Sequence, residues 1–405
     1  MTIAQTLTAF PGAAPMARRS TPAVEFELIE TTAGLTALGP EWNDLFDRTA
    51  EPTQVFQTHG FAEAWTRTYL DAPDGPAAGV RLAILIARHD ERLVMVWPLV
   101  AERTLGLDVL CWLGAPIAQY GDVLVEPGPQ SLDLLLAAWA QIRARLKPDV
   151  VRLRKVRADA AVAPALARLD TIQTGREEAA SVALGSQAGA VTTASFEDRQ
   201  SAKARKNRRR LLRRLEDHGQ VRFQALPPST AASALAVAGL ALKRRWLDNR
   251  GLVSVAFADQ RIERFFADVA GATAEPTGCQ VFALDLDGVP VAVAIGFVCG
   301  PRLTLHMIAY DLDVEKSGVG VLNLEAILRW AERHGCNAVD LLAPKADYKM
   351  DWADTTVPVC DHAVPVTLKG QGCVRLYDGF LRPQAKSAIE ALPASLRRRI
   401  AGHVG

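Results

Sequence analysis

The sequence contains no uninterrupted apolar run of the roughly 20 residues that a bilayer-spanning helix needs, so no segment reads as a membrane span. It contains no CxxC pair either. Six cysteines (Cys111, Cys279, Cys299, Cys336, Cys360 and Cys373) are scattered, most of them within apolar runs, where cysteine packs as a small hydrophobe. The seven histidines are equally dispersed, so no structural or catalytic metal is expected. Nor is there an excess of one charge: 46 basic and 45 acidic side chains leave a formal net charge of +1. That balance argues against a dedicated nucleic-acid binder, whose basicity would be shared by more of its surface.

The 405 residues present suffice for two domains, each with its own core. Residues 1–22 mix Ala, Pro, Thr and Ser with little pattern and read as a flexible extension. Arg18-Arg19 suggests a twin-arginine export signal, but the acidic run Glu25-Phe26-Glu27 stands where an apolar core belongs. The expected address is cytoplasmic, with a peripheral position at the inner face of the membrane as an extension of that reading. The remainder divides into 23–190, 191–370 and a tail helix over 371–405.

The two main segments echo each other. Arg81–Arg88 and Leu93–Val100 are apolar strands joined by His89-Asp90-Glu91-Arg92; Gln280–Leu286 and Val289–Val298 are joined by Asp287-Gly288, a strong two-residue hairpin signal. A third strand follows each pair (Leu107–Leu113; Leu303–Tyr310), then a helix (Leu132–Leu146; Val321–His334) and a short buried strand (Val150–Leu153; Ala338–Leu342). The second helix carries Leu324, Ile327, Leu328 and Ala331 at i, i+3, i+4 and i+7, and stops at Gly335. The fold class is α/β, a mixed-sheet unit occurring twice. The stretch Glu177–Ser195, rich in Ala, Gly, Ser and Thr, reads as the crossover between copies.

The copies differ at the turn before the helix. In the second, Glu315-Lys316-Ser317-Gly318-Val319-Gly320 spaces two glycines by one residue, which leaves backbone N–H groups free of Cβ obstruction and adds the positive end of a helix. Such a turn suits a phosphate or pyrophosphate. In the first copy Glu126-Pro127-Gly128-Pro129 occupies the matching place, where two prolines remove donors and a carboxylate repels phosphate. Only the second copy is expected to hold an anion.

Between the copies runs Ser201-Ala-Lys-Ala-Arg-Lys-Asn-Arg-Arg-Arg-Leu-Leu-Arg-Arg-Leu215, a helix with Leu211, Leu212 and Leu215 on one side and a dense cationic face elsewhere. Its readings are a solvated face, a phosphate clamp for a nucleotide-linked or lipid-linked substrate through Arg208 and Arg209, contact with RNA, or docking to anionic lipid. Arginines within Arg-Arg-Leu-Glu-Asp would also suit a cyclic dinucleotide. The basic tail Ala385–Arg399 is a second candidate for touching membrane.

The order hairpin, strand, glycine turn, helix and strand resembles the GNAT acyltransferase superfamily. More closely it is similar to the CelD/FemAB-like branch (BioF2-like acetyltransferase domain), whose members carry two such folds in tandem. The residues that carry the likeness are Trp42-Asn43-Asp44-Leu45, Val55-Phe56-Gln57-Thr58 and Ala64-Trp65, then Tyr120-Gly121-Asp122, Arg213-Arg214-Leu215-Glu216, Tyr310-Asp311 and Asp347-Tyr348-Lys349. It covers about Glu25 to Val366. The chain departs where the superfamily's turn begins with Gln or Arg: Glu315 stands here, expected to point away while Lys316 supplies charge.

The resemblance implies an acyl-CoA-dependent acyltransferase, using acetyl-CoA or another acyl-CoA. Its acceptor would be a sugar or amino-sugar precursor of an extracellular polysaccharide or of the cell envelope. The donor would lie on Lys316, Ser317, Gly318, Val319 and Gly320, with the strand Leu303–Tyr310 pairing to the pantetheine arm. Lys349 would stabilise a tetrahedral oxyanion or a phosphate, and Tyr348 would protonate the leaving thiolate. His306, alternating with apolar residues in Leu-Thr-Leu-His-Met-Ile, is a candidate base, or else a packed strand histidine; Asp347 and Asp311 are weaker alternatives. Gln57, Trp65, Tyr120 and Asp122 would shape an acceptor pocket between the folds. No cysteine or serine sits in a nucleophile context, so direct attack is expected. Two other readings stay open: an aminoacyl-tRNA donor, as in the peptidoglycan-bridge branch, and a non-catalytic regulator answering to a cyclic dinucleotide. The short helical pair Leu226–Gly251 and Gln260–Ala270 disfavours the former.

Overall fold

The computed structural model describes residues 24–71, 79–104, 106–185, 195–252, 254–271 and 277–376. The extension 1–22 and the basic tail Ala385–Arg399 lie outside the described residues.

Both hairpins form at the expected sites. Asp287 and Gly288 take φ of 51° and 81°, so the strands Cys279–Leu286 and Val289–Cys299 meet through a turn whose two central residues are left-handed. The first half builds the same turn without glycine: Asp90 (50°) and Glu91 (64°) join Ile84–His89 to Arg92–Trp97. The strand expected over Leu93–Val100 is broken in two. Pro98, which has no N–H to give a ladder, separates Arg92–Trp97 from Leu99–Thr104, and the chain changes sheet there. Arg92–Trp97 stays in a four-stranded sheet with Val24–Ile29, Ile84–His89 and Leu124–Val125.

Each half closes with a parallel step through its helix. Leu107–Trp112 passes through Ser131–Leu146 to Val150–Arg157; Arg302–Tyr310 passes through Val319–Arg333 to Ala338–Asp340. The repeat seen in the sequence is therefore a repeat of topology within an α/β fold.

The crossover expected over Glu177–Ser195 begins as strand, through Ala183, and residues 186–194 lie outside the described residues. Ile172–Ala183 runs for 12 residues and pairs with Ala338–Asp340 on one edge and with Thr355–Pro365 on the other. Thr355–Pro365 pairs in turn with Val150–Arg157. A late strand of the chain thus sits between two early ones, and an 11-stranded sheet runs through both halves. Small residues had suggested a linker, but Ala179, Ala180 and Val182 are small because they are buried in this sheet.

The packing joins the halves as firmly as the sheet does. Phe56 and Phe61 of the first half meet Phe265 and Phe297 of the second in edge-to-face contacts of 5.1–5.9 Å. Beneath them the Tyr120 hydroxyl donates to Asp340 at 2.8 Å, and Arg157 reaches the same carboxylate at 3.1 Å.

Candidate active site

The site exists because two strands stop pairing. Along the Val289–Cys299 edge, Ile295 opposes Met307 and Gly296 opposes Leu305, so His306 is an extra residue in a β-bulge. On its other edge, Arg302–Tyr310 pairs with Ala338–Asp340 only through Thr304. Past that point the strands diverge around a chamber of about 460 Å³. Leu305–Ile308 and Leu341–Pro344 form its walls, the first half contributes Ile117, Gln119 and Lys155, and Tyr348 and Lys349 stand at the side.

Lys349 is buried on the short helix Asp347–Met350, and its Nζ donates to the carbonyls of Leu342 (2.9 Å) and Pro344 (2.8 Å). Leu342 is itself held in the left-handed region, at φ 63°, with its N–H on Asp340. Two protons of the ammonium are thereby committed and one is left for the chamber. Burial brings the Lys349 pKa down to about 8, against the pull of Asp340 and Glu177. Tyr348 borders both this chamber and the one beside it; desolvation and neighbouring Tyr310 raise its pKa, so the phenol carries its proton.

His306 is placed in the chamber wall but is unsuited to act as a base. Its Nε2 lies 2.8 Å from the Ile117 carbonyl, and the ring packs among Phe56, Phe266 and Phe297. The other nitrogen is buried without a partner, and desolvation lowers the pKa to about 4. The alternative reading, a packed strand histidine, is the one this geometry favours. Asp347 is exposed and lines neither chamber, and Asp311 caps the 3₁₀ turn Leu312–Ser317 by accepting from the amide of Asp313.

The second chamber, about 1240 Å³, opens between the cationic helix Ala202–Glu216 and the start of Val319–Arg333. It shares Lys243, Ile308 and Tyr348 with the first. Gly318 takes φ 73°, with Leu211 packed so closely that a Cβ would meet it at 2.7 Å; Gly320 lies against the Tyr310 ring. The amides of Val319, Gly320 and Val321 open the helix and so have no acceptor within it, and the N-cap Gly318 has no side chain with which to cap them. Gly318, Gly320 and Val321 line the chamber, so these donors border open space, as an anion cradle requires. Ser317 and Val319 are buried beneath the turn and contribute only backbone.

Two expectations about this turn are corrected. Lys316 is exposed and does not line the chamber. Glu315 does line it, but its carboxylate is occupied by Arg250 and by the Tyr310 hydroxyl at 3.0 Å, so it presents a neutralised group. The cationic helix also turns differently from its leucine pattern: Arg208, Leu211 and Leu215 face inward, and Leu212 is exposed. Arg208 pairs with Glu325 at 2.9 Å and lies over the Trp352 ring, while its Nη2 is buried without a partner. Arg209 points away from the chamber; Lys203, Lys206, Arg210 and Arg213 form its rim.

The four first-half candidates line neither chamber. Gln57 donates to the Tyr120 carbonyl, Trp65 to the Ala115 carbonyl, and Tyr120 to Asp340. Asp122 accepts from Gln54 and three backbone amides, and burial pushes its carboxyl up to about 6. Each of the four is thus engaged with neighbours inside the fold, away from both chambers. The first half instead offers Gln119 and Lys155. Lys155 sits at φ 56°, its amide anchored by Asp361 and its Nζ on Gln119 at 2.7 Å. Nothing in the sequence marked it, because it lies in an alternating run of basic and apolar residues.

Residues 202–350 match the family model described as an acetyltransferase (GNAT) domain. None of the curated proteins compared with the chain matches it in sequence. Among solved structures, the crystal structure of FemX superposes with a TM-score of 0.57 at 10% identity, covering 87% of this chain and 100% of that one. The C-terminal domain of a putative lysylphosphatidylglycerol synthetase from Agrobacterium fabrum gives 0.47 at 12% identity (85% and 96%). A tandem GNAT protein from the clavulanic acid biosynthesis pathway gives 0.45 at 13% (85% and 99%). The matched stretch contains the second parallel step and the glycine turn, so over residues 202–350 the chain is similar to an acetyltransferase (GNAT) domain.

Proposed function

We propose that the chain transfers an acyl group from acyl-CoA to an amine of a sugar or amino-sugar precursor of an envelope or extracellular polysaccharide. The observation that carries this reading is the junction of two chambers at Lys243, Ile308 and Tyr348. The larger has the first amides of a helix and a cationic rim for the donor's phosphates; the smaller has a buried lysine for the reacting carbonyl. The acceptor nitrogen attacks the thioester carbon and the carbonyl electrons move to oxygen. Lys349, held by two carbonyls, offers its remaining N–H to that oxyanion. The attacking nitrogen sheds a proton to solvent, collapse breaks the C–S bond, Tyr348 gives its proton to the thiolate, and the tyrosinate takes one back from solvent, so that amide and free thiol are the products.

No acidic side chain lines the smaller chamber among the described residues, and His306 is a poor base. The lysines there disfavour an ammonium and so hold the acceptor amine in its neutral, nucleophilic form. Direct titration of purified protein with acetyl-CoA and longer acyl-CoA species, followed by a thiol-release assay against amino-sugar acceptors, tests the reading. Absence of saturable donor binding would overturn it.

An aminoacyl-tRNA donor is the second reading, favoured by the exposed cations on the rim of the larger chamber. It predicts association with tRNA that weakens steeply with salt.

A further inference from the structure

The smaller chamber has a property that acyl transfer alone does not require. Its ionisable lining is Lys155, Lys243, Lys349, Tyr348 and His306, with no carboxylate among the described residues that face it. The lysines come from three separate places: a first-half strand, the helix Thr230–Arg250, and the turn that carries the catalytic pair. Each is tethered by neutral acceptors. Lys155 Nζ has Gln119 at 2.7 Å, Lys243 Nζ has the Ile308 carbonyl at 3.4 Å and lies over the Trp246 ring, and Lys349 has two carbonyls.

Lys155 is the informative member. A lysine at φ 56° costs about 1 kcal/mol or more in backbone strain, and such strain persists only where the surroundings impose it. Here Asp361 fixes the amide and Gln119 fixes the ammonium. Both tethers aim a first-half cation into a chamber whose chemistry belongs to the second half.

Resting on the acyltransfer reading, we infer that the acceptor is anionic: a carboxylate or phosphate on it is seated between Lys155 and Lys243 while its amine faces Lys349. Three half-buried or buried cations without a chamber carboxylate are an unfavourable set that one bound anion would relieve. The depressed values agree with this: about 8 for Lys155 and Lys349, and lowered for Lys243, all through burial. The carboxylates that oppose the shift, Asp361 and Glu177 at Lys155 and Asp340 and Glu177 at Lys349, stand behind the lysines and not in the chamber. A neutral sugar would leave the set uncompensated.

The test uses full-length protein with ¹³C-labelled lysine and no acyl donor, so it reads the acceptor chamber independently of donor binding. The lysine Cε resonances are followed against pH, alone and with inorganic phosphate or succinate as probes. Lys155→Arg and Lys349→Arg assign the signals; should either variant fail to fold, the depressed titration itself separates these lysines from exposed ones. The expected result is that saturating anion raises both midpoints by about one unit or more, with the Lys203 and Lys206 signals reporting separately on the larger chamber's rim. A response to phosphate alone assigns a phosphorylated acceptor; a response to succinate alone assigns a carboxylated one. Chamber midpoints that stay in place with both probes overturn the inference and leave the acyltransferase reading intact.

Discussion

The Tyr120 hydroxyl and the Asp340 carboxylate meet at 2.8 Å across 220 residues of chain, and Asp340 is completely buried. Arg157 and Arg302 approach the same carboxylate, and Leu342 donates its amide to it. The halves are therefore locked together beneath the strand that leads to Lys349.

That arrangement makes the pair unequal. Tyr120→Phe removes one donor while the arginines remain, and is expected to cost about 1–2 kcal/mol. Asp340→Ala leaves the buried Tyr120 hydroxyl and the Leu342 amide without an acceptor and Arg157 with Asp159 alone, and is expected to cost about 3–5 kcal/mol. Urea melts of the two variants check the order; equal losses would contradict it.

Lys349→Met keeps the side-chain volume and removes the oxyanion donor. The turnover number is expected to fall about 100- to 1000-fold with donor affinity little changed. Tyr348→Phe should lose about 100-fold, since the thiolate still leaves but without its acid. Steady-state kinetics with matched acyl-CoA titrations separate the two effects.

Gly318→Ala places a Cβ at 2.7 Å from Leu211 on a residue at φ 73°, and is expected to cost about 1–2 kcal/mol and to weaken donor binding. Lys316→Ala, on an exposed side chain outside the chamber, should leave the donor's KM within about twofold. Calorimetry and donor titration of both variants test the turn's assignment as a backbone site.

His306→Gln should retain activity within about tenfold, in keeping with a packing role. It also has a pH signature. In the fold His306 titrates near 4, below its ordinary 6.5, so the unfolded chain binds more protons in between. Its contribution to stability is full above about pH 6.5 and is lost as pH falls towards 4, up to about 3 kcal/mol. Asp122, raised to about 6, works in the opposite sense, stabilising at low pH and losing that contribution as pH rises through 6. The difference between wild type and His306→Gln across pH 4–7 isolates the histidine; a constant difference would refute the assignment.

Much of the fold was legible because its signals are local. The Asp287-Gly288 turn needs two left-handed residues, Gly335 at φ 79° stops a helix, and the leucine period of Val319–Arg333 marks a buried face. The strand Ile172–Ala183 was not legible: its small residues fit both a linker and a tight sheet, and only its partners decide. The site divides in the same way. Tyr348, Lys349 and the glycine turn follow one another in recognisable order. Gln57, Trp65, Tyr120 and Asp122 line neither chamber, a placement no sequence reveals, because a polar or aromatic side chain looks alike whether it faces a ligand or satisfies a buried neighbour.

The sequence by itself determined the repeated unit, the turn chemistry and the difference between a glycine turn and a proline-interrupted one, since each depends on backbone preferences within a few residues. Only the tertiary structure decided that a late strand enters the early sheet. It alone placed Lys155 opposite Lys349 and buried His306 out of use. Those outcomes depend on which distant surfaces exclude water from one another, and no short window of sequence contains both surfaces.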